Sequence, residues 1–294
     1  MSSKNYELVT SDSLSYLEQM NDQSIDCVMT DPPYGIDQMD GSWDDEKISK
    51  SKDKAKVVGN IPVGMKFDPE TSKKLVEFLT PITQELYRVL KPGGFCLMFS
   101  QSRSSHRVGC MLEDCGFELR DQLIWDYGAG QGKAQDMSNF IKKNNELTQN
   151  EKETYLRKLE GKKTPQLTPT FETIWLAQKP KDGKFWENYI THGVGLINVF
   201  GTPSTVKFEY KKPAKDERKD TANHPTQKPV ALMEELVQVF TKEDDVILDC
   251  FNGSGTTGVA AIRNSRQYIG IDKSEDYIEA TKIRLEKTPL SLFF

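Results

Sequence analysis

The chain has 294 residues, 36% of them hydrophobic, with 39 Lys+Arg against 44 Asp+Glu for a net charge of −5. No apolar run is long enough to span a membrane, and Met1 to Thr10 has no signal-peptide pattern, so the sequence predicts a cytoplasmic protein. Five cysteines without a Cys-x-x-Cys pair, and three scattered histidines, predict neither a disulfide framework nor a metal site. The length suits one large α/β domain or two smaller ones. The charge is uneven. Residues 130–222 hold 17 Lys+Arg and 12 Asp+Glu, and the remainder holds 22 and 32. An acidic body with a basic middle is compatible with DNA binding by that segment, and equally with solvated lysine-rich loops.

In chain order, Glu7 to Thr10 reads as a strand, followed by a turn at Asp12 and an amphipathic stretch carrying Leu14, Leu17 and Met20. Ile25 to Thr30 is a second, apolar strand that runs into Asp31-Pro32-Pro33-Tyr34. Residues 37–66 are polar, with three glycines and alternating lysines. A loop of that length in a compact domain is functional or disordered, and its place beside Asp31 suggests a lid. Leu75 to Leu90 has helical spacing, which Lys91-Pro92-Gly93-Gly94 ends. Further strands are expected at Phe95–Phe99, Leu119–Trp125, Thr173–Ala177, Val246–Asp249 and Tyr268–Ile271. Helices are expected from Val108, over Gln149–Leu159, after Pro229, after Thr257 and over Ser274–Lys287. Residues 181–222 show little periodicity. Alternating strands and helices imply an α/β fold: a doubly wound, mostly parallel, Rossmann-like sheet with helices on both faces.

Two stretches carry chemistry. After Asp31, two prolines lack the N–H needed to continue a sheet, so the chain leaves at the carboxyl edge, where open α/β folds bind ligands. The Asp31 carboxylate and the Pro32 carbonyl are acceptors that suit an amino group bearing two hydrogens, and Tyr34 offers a ring for a flat heterocycle. A proline-stiffened turn with a capping Asp is the plain alternative. The second stretch is Gly253-x-Gly255-x-x-Gly258 after a strand, with Asp272 closing the next one. The glycines allow close backbone approach, and an acid at that position can take both ribose hydroxyls, which suggests an adenosine-type cofactor. Glycines that serve only helix–strand packing are the alternative. No Gly-Lys-Ser/Thr follows, so a P-loop is excluded. Asp249 would repel a pyrophosphate but suits an ammonium and a sulfonium, and Asp12 could accept from an adenine amino group. Either could be a helix cap. His224 to Pro229 could simply start the next helix.

Together these motifs resemble the amino-methylating DNA methyltransferases. The resemblance covers residues 1–36, 67–127, 171–181 and 223–294. Asp31-Pro32-Pro33-Tyr34 is similar to the family's catalytic motif. Asp249-Cys250-Phe251-Asn252-Gly253-Ser254-Gly255-Thr256-Thr257 is similar to its cofactor motif, with Cys250 and Asn252 departing from the more common residues. His224, Thr226, Gln227 and Lys228 lie in a segment similar to the one that packs over the cofactor. Catalytic motif before cofactor motif is the order of the permuted β class. The resemblance implies a single domain over 1–294, a seven-stranded sheet, S-adenosylmethionine as methyl donor, and target recognition of duplex DNA by 128–170 and 182–222. Residues 128–132 and 168–199 also resemble a phage- and prophage-associated branch. It implies direct transfer to a flipped-out base and a place in restriction-modification. Asp-Pro-Pro-Tyr in this order points to adenine N6, with cytosine N4 as runner-up. Methylation of RNA or a protein amide, an inactive DNA-binding paralogue and a nicotinamide-dependent oxidoreductase remain alternatives. A homodimer or a partner subunit is compatible with the sequence.

Overall fold

The computed structural model describes residues 5–34, 69–128, 130, 132, 134–165, 167–199, 206–214, 216–217 and 226–289. The expected lid at 37–66 and His224 lie outside them. In chain order the elements are β1 (Tyr6–Thr10), α1 (Ser13–Leu17), β2 (Ile25–Thr30), α2 (Pro69–Val89), β3 (Leu90–Ser100), α3 (Ser105–Asp114), β4 (Glu118–Asp126), α4 (Met137–Lys143), α5 (Gln149–Lys158), β5 (Phe171–Gln178), α6 (Phe185–His192), β6 (Lys207–Glu209), α7 (Val230–Phe240), β7 (Val246–Asp249), α8 (Thr256–Arg263), β8 (Gln267–Asp272) and α9 (Glu275–Glu286).

The strands form one sheet in the order β1-β8-β7-β2-β3-β5-β4-β6. All seven expected strands are present. The eighth, β6, is three residues long and pairs parallel with β4 at the edge. The run β1, β8, β7, β2, β3 is parallel throughout, and β5 lies antiparallel to both β3 and β4. Every residue of β2 is buried, as its continuous apolar run requires of a strand covered on both faces. Alternate side chains serve opposite faces. Met29, Leu97 and Phe99 join one core with residues of α7 and α8. Val28, Cys96 and Met98 join the other, with Leu79, Leu86 and Met111 of α2 and α3.

Besides the short α4, which falls in a stretch where no helix is expected, local expectations needed amendment in two places. Lys91 to Gly94 does not separate helix from strand. Pairing with β2 jumps from Ile25↔Leu90 to Cys27↔Phe95, so these residues bulge out of β3. Side-chain amides hold the bulge: Asn188 Nδ2 donates to the Pro92 carbonyl at 3.0 Å and Gln178 Nε2 to the Gly93 carbonyl at 2.8 Å. The second amendment is α6, in a stretch read as aperiodic. Eight residues give barely two turns, too short for a period to show in sequence.

Candidate active site

Parallel strands deliver their last residues to one edge of the sheet. There Asp12, Asp31, Asp249 and Asp272, which follow or end β1, β2, β7 and β8, line a single cavity of about 1120 Å³. That is just above the roughly 300–1,000 Å³ typical of sites for small organic ligands. It leaves room for a nucleoside-sized cofactor with a base beside it.

On one side of the cavity stands Asp249, 3% exposed. Its carboxylate accepts from Thr30 Oγ1 and Thr257 Oγ1, both at 2.8 Å, and from the Phe251 N–H at 3.1 Å. These are neutral donors. Burial outweighs their help and pushes the carboxyl from the ordinary 3.8 up to about 6. A carboxylate held in this way gains from a cationic ligand. Asp272 accepts from the Gly253 N–H at 2.8 Å and the Ser274 N–H at 2.9 Å, one on each oxygen, and burial raises its pKa as well. With the Lys273 N–H as a further donor, the carboxylate still has acceptor capacity left for a ligand hydroxyl.

The turn between these acids is close-packed. Gly255 has φ +72°, and a Cβ there would lie 2.4 Å from Thr281 Cγ2, so only glycine lets α8 start against α9. Asn252 braces the same turn. Its amide donates to Thr281 Oγ1 at 2.8 Å and accepts from the Tyr268 hydroxyl at 2.8 Å. Ser254 and Thr256 share a hydroxyl contact at 3.1 Å. Phe251 packs near Phe78, ring centroids 6.3 Å apart, as an apolar wall. Asp12 caps α1 by accepting from the Ser15 N–H at 3.1 Å while it also lines the cavity. Thr226 lines it too. Gln227 lies on the same wall, its amide donating to the Glu217 carbonyl at 3.0 Å. Its buried Oε1 has no hydrogen-bond partner among the described residues. An acceptor unpartnered among the described residues, the buried Asp249 and half-buried Asp272 carboxylates, and a close-packed glycine turn form a donor-hungry site that fits the ammonium, sulfonium and ribose hydroxyls of S-adenosylmethionine.

Next to this site is the second constellation. The Tyr34 hydroxyl lies 2.7 Å from Asp31 Oδ1 and 3.0 Å from Glu172 Oε2. The Lys228 ammonium bonds Asp31 Oδ2 and lies 3.3 Å from Glu172 Oε2. Lys228 is 6% exposed, and its ammonium sits 5.0, 5.5 and 5.9 Å from the ring centroids of Phe99, Tyr34 and Trp125. Burial alone would lower its pKa, but the carboxylates of Asp31 and Glu172 outweigh burial and hold it above the ordinary lysine value. Tyr34 is raised well above the usual phenol range, first by burial and then by the same two carboxylates. Sequence reading found Asp31 and Tyr34 and assigned Lys228 to the cofactor wall. It missed Glu172, which sits in no motif and whose strand gives only an apolar alternation.

Residues 25–283 match the N6/N4 family model described as DNA methylase. Among curated proteins, the type II methyltransferase M.HindIII of Haemophilus influenzae is 29% identical over 95% of this chain and 96% of its own length. The type II methyltransferase M2.DpnII of Streptococcus pneumoniae is also 29% identical, over 95% of this chain and 89% of its own. Among solved structures, the M1.HpyAVI–SAM complex superposes with a TM-score of 0.59 at 20% identity, covering 95% of this chain and 98% of that one. PvuII DNA methyltransferase, described as cytosine-N4-specific, superposes at 0.60 with 18% identity, covering 96% of this chain and 86% of that one. The chain belongs to the N6/N4 DNA methylase family and is an S-adenosylmethionine-dependent DNA amino-methyltransferase.

Proposed function

We propose that this enzyme methylates the exocyclic N6 of adenine in duplex DNA. The observation that carries the reading is the placement of Asp31 and Tyr34 in one cavity with Asp249 and Asp272. An acceptor pair for an amine thereby faces a site built for a cationic nucleoside. When bound, S-adenosylmethionine supplies an electrophilic methyl group on sulfur, and every other contribution comes from the chain. The N6 lone pair is delocalised into the purine ring and attacks poorly. Asp31 and the Pro32 carbonyl accept its two hydrogens, pull the nitrogen toward a pyramid and aim the lone pair. The charge that grows on nitrogen is stabilised by the Asp31 carboxylate. Pro33 stiffens the loop, and the Tyr34 ring receives the base after it flips out of the duplex. No covalent intermediate is needed, so the buried Cys27, Cys96 and Cys250 have no nucleophilic task. Cofactor contacts fall to Asp12, Asp249, Asp272, Gln227 and the backbone from Phe251 to Thr256. The same donor-accepting pair would serve cytosine N4. The Asp-first motif order favours adenine.

Residues 128–170 and 182–222 are the proposed target readers. Within them Lys207 is already committed to Asp126 at 3.0 Å and Glu209 at 2.6 Å. Phosphate contacts therefore fall to other cations, such as the exposed Lys142, Lys143, Arg157 and Lys158 on the last turns of α4 and α5. The test is methyl incorporation from labelled S-adenosylmethionine into mixed-sequence duplex DNA, with nucleoside analysis. N6-methyladenine from the wild type and none from Asp31→Ala is the expected result. N4-methylcytosine would overturn the choice of base, and no incorporation into DNA would overturn the substrate.

A further inference from the structure

The antiparallel run of β5 gives the catalytic edge a residue that the parallel strands could not supply. Parallel strands bring their last residues to this edge, and β5 brings its first. Thr173 pairs with Ser100, the last residue of β3, and Glu172 pairs with Trp125 near the end of β4. Glu172 is thereby held beside Asp31, 141 residues earlier in the chain. Its side chain is 20% exposed.

Asp31 has a conflict of duty in the resting enzyme. The amine reading needs its negative charge as well as an acceptor, yet Oδ2 holds the Lys228 ammonium, which neutralises that charge and weakens the remaining lone pairs, and Oδ1 lies 2.7 Å from the Tyr34 hydroxyl. Neither partner can simply be dropped. Lys228 is nearly inaccessible to water, and a buried ammonium without a counter-charge is strongly disfavoured. The aromatic faces of Phe99, Tyr34 and Trp125 favour a cation nearby, but they do not replace a carboxylate. Glu172 Oε2 is the second acceptor within reach of both groups, 3.3 Å from the ammonium and 3.0 Å from the hydroxyl. A shift of a few tenths of an ångström toward Glu172 would transfer both.

We infer that Glu172 is a positioning residue for methyl transfer: it takes Lys228 and the Tyr34 hydroxyl from Asp31 when the target amine enters, and so frees the Asp31 carboxylate to accept from that amine. The inference rests on the function proposed above. No bond to the base or the cofactor is assigned to Glu172. Among the described residues, the other titratable groups facing this cluster are Tyr127 on the β4 side, which feels the Glu172 charge, and Asp249 on the β7 side, which feels that of Asp31. The ammonium's ion pairs among the described residues are with Asp31 and Glu172.

The consequence differs from that of an ordinary stabilising ion pair. In Glu172→Gln the amide keeps the shape and an acceptor for Tyr34 but loses the charge, so Lys228 stays on Asp31 and competes with the amine. DNA affinity is set mainly by phosphate contacts elsewhere, so the loss falls on kcat. Removing the ammonium as well, in Glu172→Gln/Lys228→Met, leaves Asp31 without a competitor. The double variant is expected to be faster than Glu172→Gln alone. A merely structural pair predicts the opposite order.

The experiment measures labelled methyl incorporation into unmethylated mixed-sequence duplex DNA for wild type, Glu172→Gln, Glu172→Asp, Lys228→Met and the double variant. Calorimetry with S-adenosylmethionine and thermal unfolding run alongside. Expected are a cofactor Kd within about twofold of wild type, a kcat at least tenfold lower in Glu172→Gln with DNA KM little changed, an intermediate kcat in Glu172→Asp, and recovery in the double variant. The inference is overturned by wild-type kcat in Glu172→Gln, or by a double variant no faster than Glu172→Gln. If Glu172→Gln does not fold, Glu172→Asp carries the test against the same Lys228→Met background, with the same two outcomes. Every rate is relative to wild type. A wild type that makes no methylated adenine therefore overturns the proposed function, whereas an active wild type with an indifferent Glu172 overturns only this inference.

Discussion

Asp249→Asn separates what the site needs from what the fold needs. In the ligand-free enzyme Asp249 is buried, and its pKa stands at about 6 against an ordinary 3.8. A folded value above the unfolded one means that ionisation opposes folding. The folding free energy is most favourable below the unfolded value, loses ground as pH rises from about 4 to about 6, and stays at its lower level above that. The gap of about 2 units corresponds to ~3 kcal/mol at 1.36 kcal/mol per unit. The asparagine amide is isosteric and keeps an oxygen for Thr30 and the Phe251 N–H, while the Thr257 hydroxyl can turn to accept from the new NH₂. Without the charge the variant avoids that cost. At pH 8 it should be more stable by up to ~3 kcal/mol, or roughly 4–6 °C in Tm for a chain of this size. The advantage should shrink to about half at pH 5, where the folded wild type is already mostly protonated. The assay is thermal or urea unfolding of both proteins from pH 5 to 8, without cofactor, and calorimetry with S-adenosylmethionine. Asp249→Asn should bind the cofactor far more weakly while being the more stable protein, a trade between function and stability. A variant less stable than wild type at every pH, or a difference that does not change with pH, would refute the reasoning.

Two further outcomes follow from the same site. Wild-type affinity for S-adenosylmethionine should fall about fivefold between pH 6 and pH 5, because a protonated Asp249 offers no charge to the ligand; calorimetry that finds a flat profile would remove Asp249 from the contact. Gly255→Ala should destabilise by about 2–4 kcal/mol, since it combines a left-handed backbone with a Cβ clash against Thr281. Urea unfolding of Gly255→Ala and of Gly255→Ala/Thr281→Ala checks this: the second change relieves the clash but not the φ strain, so recovery should be partial.

Much of this protein is set by sequence-local physics. The continuous apolar run from Ile25 to Met29 specifies a strand buried on both faces. Two prolines after Asp31 force the chain out of the sheet at a carboxyl edge, and a glycine-rich turn between Asp249 and Asp272 makes room for a cofactor. The same residues carry the resemblance to the family. These features are legible because each depends on neighbours a few residues away. The bulge at Lys91 to Gly94 and the short α6 were not, since side-chain amides distant in sequence hold the first and two turns show no period. What only the tertiary structure decided is who meets Asp31. Lys228 lies 197 residues from it, on a segment whose motif reads as cofactor wall, yet its ammonium ends on the Asp31 carboxylate. Glu172 arrives because β5 runs against its neighbours. Strand direction is a property of the whole sheet, and a single glutamate at the start of an apolar run carries no local mark of it.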